Sequence, residues 1–112
     1  MSQVSLQIRY MFLTLRESDL NNKITQISQI KQNLSSNTSD LLNAGANLDP
    51  NSNEMKVLEA RRQRLIAIEK KLDFELAQYQ AQLTAVGTEI KGVKEALNNS
   101  IKRDYSYGLG GG

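Results

Sequence analysis

Apolar residues recur every seven positions through the first half of the chain, at Leu6, Leu13, Leu20, Ile27, Leu34, Leu41 and Leu48. A strict seven-residue repeat predicts an α-helix that packs one face against a partner helix. Residues 35–40 are mostly Ser, Asn, Thr and Asp, which have low helix propensity. The repeat nevertheless passes unbroken from Leu34 to Leu41, so we predict helix through this stretch as well.

The second half carries its own apolar pattern, with alternating steps of four and three at Leu72, Leu76, Tyr79, Leu83, Val86, Ile90, Val93 and Leu97. Leu58, Leu65 and Ile68 extend this pattern towards the middle of the chain. The spacing predicts a second helix of the same kind. One eleven-residue step around residue 70 should locally relax its left-handed supercoil.

The residues between the two patterns favour a turn. Pro50 disfavours helical backbone at Asp49, and Asn51 or one of the next two polar residues can cap the following helix. The prediction is a helical hairpin over residues 1–104, with helices at about 3–47 and 54–103 and a turn at about 48–53. Glycine is a poor helix former, so residues 105–112 are expected to form a flexible Gly-rich tail.

The two patterns also predict how the helices pair. If the chain folds back so that the numbers of facing residues add to about 101, each apolar residue of the first helix meets a pair from the second. The pivot then lies between Pro50 and Asn51, where the turn is predicted independently. We therefore expect an all-α fold, a long antiparallel two-helix hairpin resembling a coiled coil. Its seam consists of Leu6, Leu13, Leu20, Ile27, Leu34, Leu65, Leu72, Leu76, Tyr79, Leu83, Val86, Ile90, Val93 and Leu97.

The first helix begins with more apolar residues than one seam can use. Eight of the twelve residues 4–15 are apolar, and a helix that is apolar on every side is normally buried on every side. The hairpin is therefore expected to be oligomeric, with contacts through Val4, Ile8, Met11, Phe12, Leu15 and Ile101. In a second interpretation, a few of these residues cover the C-terminal tail folding back.

Composition argues against enzymatic chemistry. The chain has no Cys and no His, which excludes catalysis by either residue and the usual zinc, haem and iron–sulfur ligand sets. Carboxylate pairs such as Asp73 with Glu75 are two positions apart and lie on different helix faces. The many hydroxyl groups have no base to activate them. We expect neither an enzyme nor a cofactor.

Charge gives little reason to expect a nucleic-acid or membrane partner. The net charge is +2, and the only basic cluster, Arg61 to Lys71, is interleaved with acidic residues, as is typical of a solvated helix face. No stretch reaches the roughly 20 apolar residues that cross a bilayer. The first residues do not resemble a secretory signal, so any export is expected to use no cleaved leader.

Two segments carry a resemblance to a known family: Asp49-Pro50-Asn51-Ser52-Asn53, and Glu89-Ile90-Lys91-Gly92-Val93-Lys94-Glu95-Ala96-Leu97. In these segments and in its architecture the chain resembles type III secretion needle subunits, which are leaderless α-helical hairpin filament subunits. The start of the chain, Arg9 to Leu20, also looks like that of small uncharacterised bacterial helical proteins. The resemblance implies self-assembly, contact with a secretion machinery and a location outside the cell or at its surface.

The sequence thus predicts a structural subunit of a self-assembling helical homopolymer, a filament or needle-like appendage whose partners are copies of itself. The alternative is a cytoplasmic helical adaptor or export chaperone that binds a partner helix. A third interpretation, nucleic-acid binding through the basic cluster, requires salt-sensitive affinity. Of these, self-assembly best accounts for the surplus of apolar residues at the start of the first helix.

Overall fold

Two helices and one short connection make up the part of the chain that the computed structural model describes, residues 2–110. Helix α1 is Gln3–Gly45 and helix α2 is Asn53–Gly110. The prediction of an all-α, two-helix hairpin is confirmed. Helix α1 also runs without interruption through residues 35–40, where the Thr38 hydroxyl donates a hydrogen bond to the Leu34 carbonyl oxygen (2.9 Å).

Each helix begins at a serine cap. The Ser2 hydroxyl oxygen accepts a hydrogen bond from the Ser5 backbone N–H (3.1 Å), and the Ser52 hydroxyl oxygen accepts one from the Met55 N–H (3.1 Å). Both contacts satisfy an N–H group that has no partner inside the first turn of a helix. Glu54 lies in the first turn of α2, where the helix dipole favours a negative charge.

The connection is built around Asp49 and Pro50. The Asp49 carbonyl oxygen accepts a hydrogen bond from the Ser52 N–H (3.0 Å), and the Asp49 carboxylate accepts one from the Asn51 N–H (3.0 Å). Aspartate at the first position of a β-turn and proline at the second is a favoured combination. The three predicted turn residues, Asp49, Pro50 and Asn51, all lie in this connection between the helices.

The predicted end of the second helix is wrong. Helix α2 does not stop near residue 103 but continues to Gly110. Residues 104–107 contain no glycine, and extending an existing helix costs much less than starting one. A single glycine at position 108 disfavours helix by only about 1 kcal/mol. The last two residues of the predicted tail, 111 and 112, lie outside the described residues.

The first of two compact units combines the beginning of α1 with the end of α2, residues Met1–Asn22 and Gln80–Gly112. Its core is formed by three buried leucines of α1, and the most deeply buried of them is fully inaccessible to solvent. The α2 residues of the predicted seam are half-buried. The buried α1 residues are Leu6, Leu13 and Leu20, and the half-buried α2 residues are Leu83, Val86, Ile90, Val93 and Leu97.

The second unit is Lys23–Tyr79 and includes the turn. Ile27 is its only buried apolar side chain among those described. The remaining seam residues of this unit are half-buried: Leu34, Leu65, Leu72, Leu76 and Tyr79. The apolar contact is therefore more open here than in the first unit.

Polar contacts between the helices agree with the predicted pairing within each unit. In the first, the Arg9 guanidinium donates a hydrogen bond to the Glu89 carboxylate (2.7 Å). In the second, Lys31 forms an ion pair with Asp73. Both pairs lie within about one helical turn of the predicted register. Because the side chains are substantially exposed, such pairs add little to stability and serve here as markers of register.

Candidate functional site

Helix α1 carries a second apolar face, distinct from its seam, which we call the α1 stripe. Its side chains are 61–68% exposed: Val4, Ile8, Met11, Phe12 and Leu15. At 3.6 residues per turn they fall within a sector of about 100°, whose centre lies about 160° from the centre of the buried face. The first four turns of α1 are therefore apolar on two nearly opposite sides, and only one side is covered by α2.

The α1 stripe is short and has a polar boundary. The Arg9 guanidinium carbon lies 6.0 Å from the centre of the Phe12 ring, so a cation flanks one edge of the stripe. Beyond Leu15, the next positions within the same sector are Asp19 and Asn22, which are polar and exposed. Within the first unit, the uncovered apolar surface of α1 therefore lies in about three turns.

The remaining predicted oligomer contact is Ile101 on α2, which is also exposed. It follows Ser100, a buried residue that the apolar pattern did not predict. Ser100 occupies the next position of the four-three alternation after Val93 and Leu97. The spacing therefore indicates that position 100 is buried, although serine is not apolar. The side chains from Lys102 to Ser106 are exposed as well, because this part of α2 extends past the residues that pair with the start of α1.

The side of α2 facing away from the seam carries small residues in the first unit: Ala81, Ala85, Gly92 and Ala96, all exposed. Apart from its chain neighbours and the backbone of its own helix, a Cβ atom added to Gly92 would have no heavy atom within 4 Å, and the same holds for Gly87. Packing within the described chain therefore does not require glycine at either position, although each costs about 1 kcal/mol relative to alanine in a helix. This face would allow another helix to approach its backbone closely.

An open groove near the turn was also missed from the sequence. In the second unit, Leu41 and Ala44 of α1 face Leu65 and Ile68 of α2 across a cavity of about 590 Å³. Arg61 and Arg64 line the same cavity, and neither has an ion-pair partner among the described residues. Arg62, by contrast, contacts the Glu59 carboxylate (3.4 Å). Arg61 and Arg64 thus line an apolar groove, whereas Arg62 is half-buried and paired outside it.

The described residues form neither a metal-holding cluster nor a membrane-spanning stretch. Within residues 2–110, no three acidic side chains come together in a way that could hold a metal ion. Neither described helix contains a stretch long and apolar enough to cross a bilayer. The arrangement consists of apolar faces, a groove and isolated charges, which are features of association surfaces.

Comparison with known proteins gives no match: neither a protein-family model, nor a curated protein, nor a solved structure is similar to this chain. Functional inference therefore depends on the surfaces described above.

Proposed function

We propose that the chain is a structural subunit of a self-assembling helical homopolymer, a filament or needle-like appendage outside the cell. The observation that carries the proposal is the α1 stripe, five large apolar side chains that are about two-thirds exposed on the side of α1 away from the seam. Burying each would stabilise an assembly by about 1.5–3 kcal/mol when the burial is complete. A stripe of this size on a monomer is typical of an interaction site.

The partner favoured by the chain itself is a second copy. The α1 stripe offers large side chains, and the outer face of α2 in the same unit offers small ones, including Ala85 and Gly92. A contact between two different faces is heterologous. When two copies meet in this way, one copy still has its α1 stripe free and the other still has its small-residue face free, so further copies can add at both ends. Heterologous contacts that do not close into a ring generate helical filaments.

A location outside the cell is part of the same proposal. Residues 18–53 contain 19 Ser, Thr, Asn or Gln among 36 residues, and most of those in α1 are exposed. A neutral polar surface of this kind suits a filament in contact with its surroundings. A secretion machinery would be the second partner, because the subunit has to be exported before it assembles.

A cytoplasmic adaptor or export chaperone is the second candidate, favoured by the length of the stripe. Val4 to Leu15 spans about 16 Å of helix, which matches the apolar face of one short amphipathic partner helix. In this function the stripe would remain uncovered until the partner binds. The purified chain would then stay small in solution.

Sedimentation velocity and negative-stain microscopy of the purified chain, over a range of concentrations, separate the two functions. Self-assembly predicts fast-sedimenting material that grows with concentration and appears as long fibres of uniform width. A monomer or dimer that persists at concentrations of tens of micromolar, with no fibres, would contradict the homopolymer and favour the adaptor.

A further inference from the structure

The groove near the turn has the dimensions of a helix-binding site. Its cavity shares Ala44 and Arg61 with a second cavity of about 520 Å³ that reaches Leu48 and Val57. Because the two cavities share these lining residues, they lie next to each other along one side of the second unit, and we call them together the turn-end groove. From Val57 to Ile68 it follows α2 for about 16 Å. Both residues are about half exposed, so the apolar wall is uncovered.

The α2 wall of the turn-end groove is mainly positive, and the α1 wall is negative. Arg61 and Arg64 stand on the α2 side, with Glu54 at the end of the groove nearest the turn, and Asp40 stands on the α1 side. None of these four side chains has an ion-pair partner among the described residues. A complementary occupant therefore needs an apolar face with a negative group on one flank and a positive group on the other.

The end of α2 has this pattern. Residues 101–110, the α2 overhang, extend past the start of α1 and are helical. Ile101 and Tyr105 are one turn apart and exposed. Asp104 and Lys102 lie on opposite flanks of the face that they form, each about 80° from its centre. Neither charged side chain has an ion-pair partner among the described residues.

We propose that the α2 overhang of one copy occupies the turn-end groove of the next copy. Ile101 and Tyr105 contact the groove floor, while Asp104 faces Arg61 and Arg64 and Lys102 faces Asp40. The ten-residue overhang is about 15 Å long, close to the length of the groove. This contact rests on the proposed self-assembly but uses surfaces other than the α1 stripe, so the two can be tested separately.

Charge reversal tests the pairing. Arg64→Glu and Asp104→Arg, each alone, should weaken association between copies about tenfold or more, because like charges then face each other across the contact. Combining both changes in one chain restores opposite charges and should recover most of the loss. Arg62→Glu is the matched control and should leave association unchanged, since Arg62 lies outside the groove and already contacts Glu59. Equal effects of Arg62→Glu and Arg64→Glu, or no recovery in the double variant, would overturn the proposal.

Disulfide cross-linking tests the contact without relying on fibres. The natural chain has no Cys, so Ile68→Cys in one preparation and Tyr105→Cys in a second, tagged preparation place one thiol on each side of the contact. Mixing them under oxidising conditions should give several-fold more mixed dimer than mixing Tyr105→Cys with Phe74→Cys, an exposed position outside the groove.

The outcomes of cross-linking distinguish the two proposals. Mixed dimer in the absence of fibres would support the groove contact and contradict the homopolymer. Fibres of the wild-type chain, together with no excess of the Ile68–Tyr105 dimer, would support the homopolymer and overturn the groove contact.

Discussion

Replacing Phe12 with aspartate is expected to abolish assembly while leaving both helices folded. Phe12 belongs to the α1 stripe and is 61% exposed, so little is lost within the subunit. In the assembly, the change removes about 1.5–3 kcal/mol of apolar burial and adds the cost of burying a carboxylate. Together these terms should raise the concentration needed for assembly more than about a hundredfold. Pelleting assays measure that concentration, and circular dichroism measures helix content.

Phe74→Asp is the matched control for this prediction. Phe74 is the same residue type with nearly the same exposure, 65%, but it lies on α2 between charged residues and outside the α1 stripe. It should assemble close to the wild-type concentration. If Phe12→Asp assembles as readily as Phe74→Asp, the α1 stripe is not an assembly contact.

Leu20→Ala is expected to cause the largest loss of subunit stability. Leu20 is the only large side chain in the described residues that is fully buried, with 0% exposure. Truncating such a leucine removes its burial and leaves a cavity, which typically costs about 2–5 kcal/mol. For a chain held together by one seam, this is a large share of the total. Urea unfolding followed by circular dichroism, at concentrations below assembly, measures the change.

Leu15→Ala separates burial from the substitution itself. Leu15 lies on the same helix in the same unit but is 68% exposed. Alanine is also the better helix former, so its effect on subunit unfolding should be within about 0.5 kcal/mol. For assembly, the order of the two variants is expected to reverse. Leu15→Ala removes part of the α1 stripe and should therefore weaken assembly directly. Equal destabilisation by both variants would contradict the assignment of Leu20 to the core and of Leu15 to the free surface.

The burial of residues in α1 and the position of the turn both depend on local rules. The seven-residue repeat defines one face of a helix, and each buried residue in α1, from Leu6 to Ile27, belongs to it. The turn depends on Asp49 and Pro50, whose backbone preferences are intrinsic. The pairing register of the two helices could be inferred because the apolar spacing and the turn residues, which are independent signals, indicate the same pivot. The six predicted oligomer contacts are all exposed, while assembly through them stays a prediction.

The open groove and the helix end were harder to predict, for different physical reasons. Leu58 and Leu65 are seven positions apart, and the position between them where an apolar residue is expected is taken by Arg61 and Arg62. Because these side chains are long and charged and Ala44 opposite is small, the two helices pack less tightly in the second unit than in the first. The end of α2 depends on a small difference between two free energies, the cost of glycine in a helix and the gain from extending an existing helix. The number of glycines alone does not give the sign of that difference.

The most direct test of the account is whether the α1 stripe becomes buried when copies meet. Because the natural chain has no Cys, Met11→Cys places a single thiol in the stripe. Asn22→Cys places one on the same face of α1, beyond the end of the stripe. Maleimide labelling rates are then measured as protein concentration rises. If copies assemble through the α1 stripe, labelling at position 11 should slow many-fold as the chain assembles, while labelling at position 22 stays fast. Equal rates at both positions that do not change with concentration would contradict assembly through the stripe.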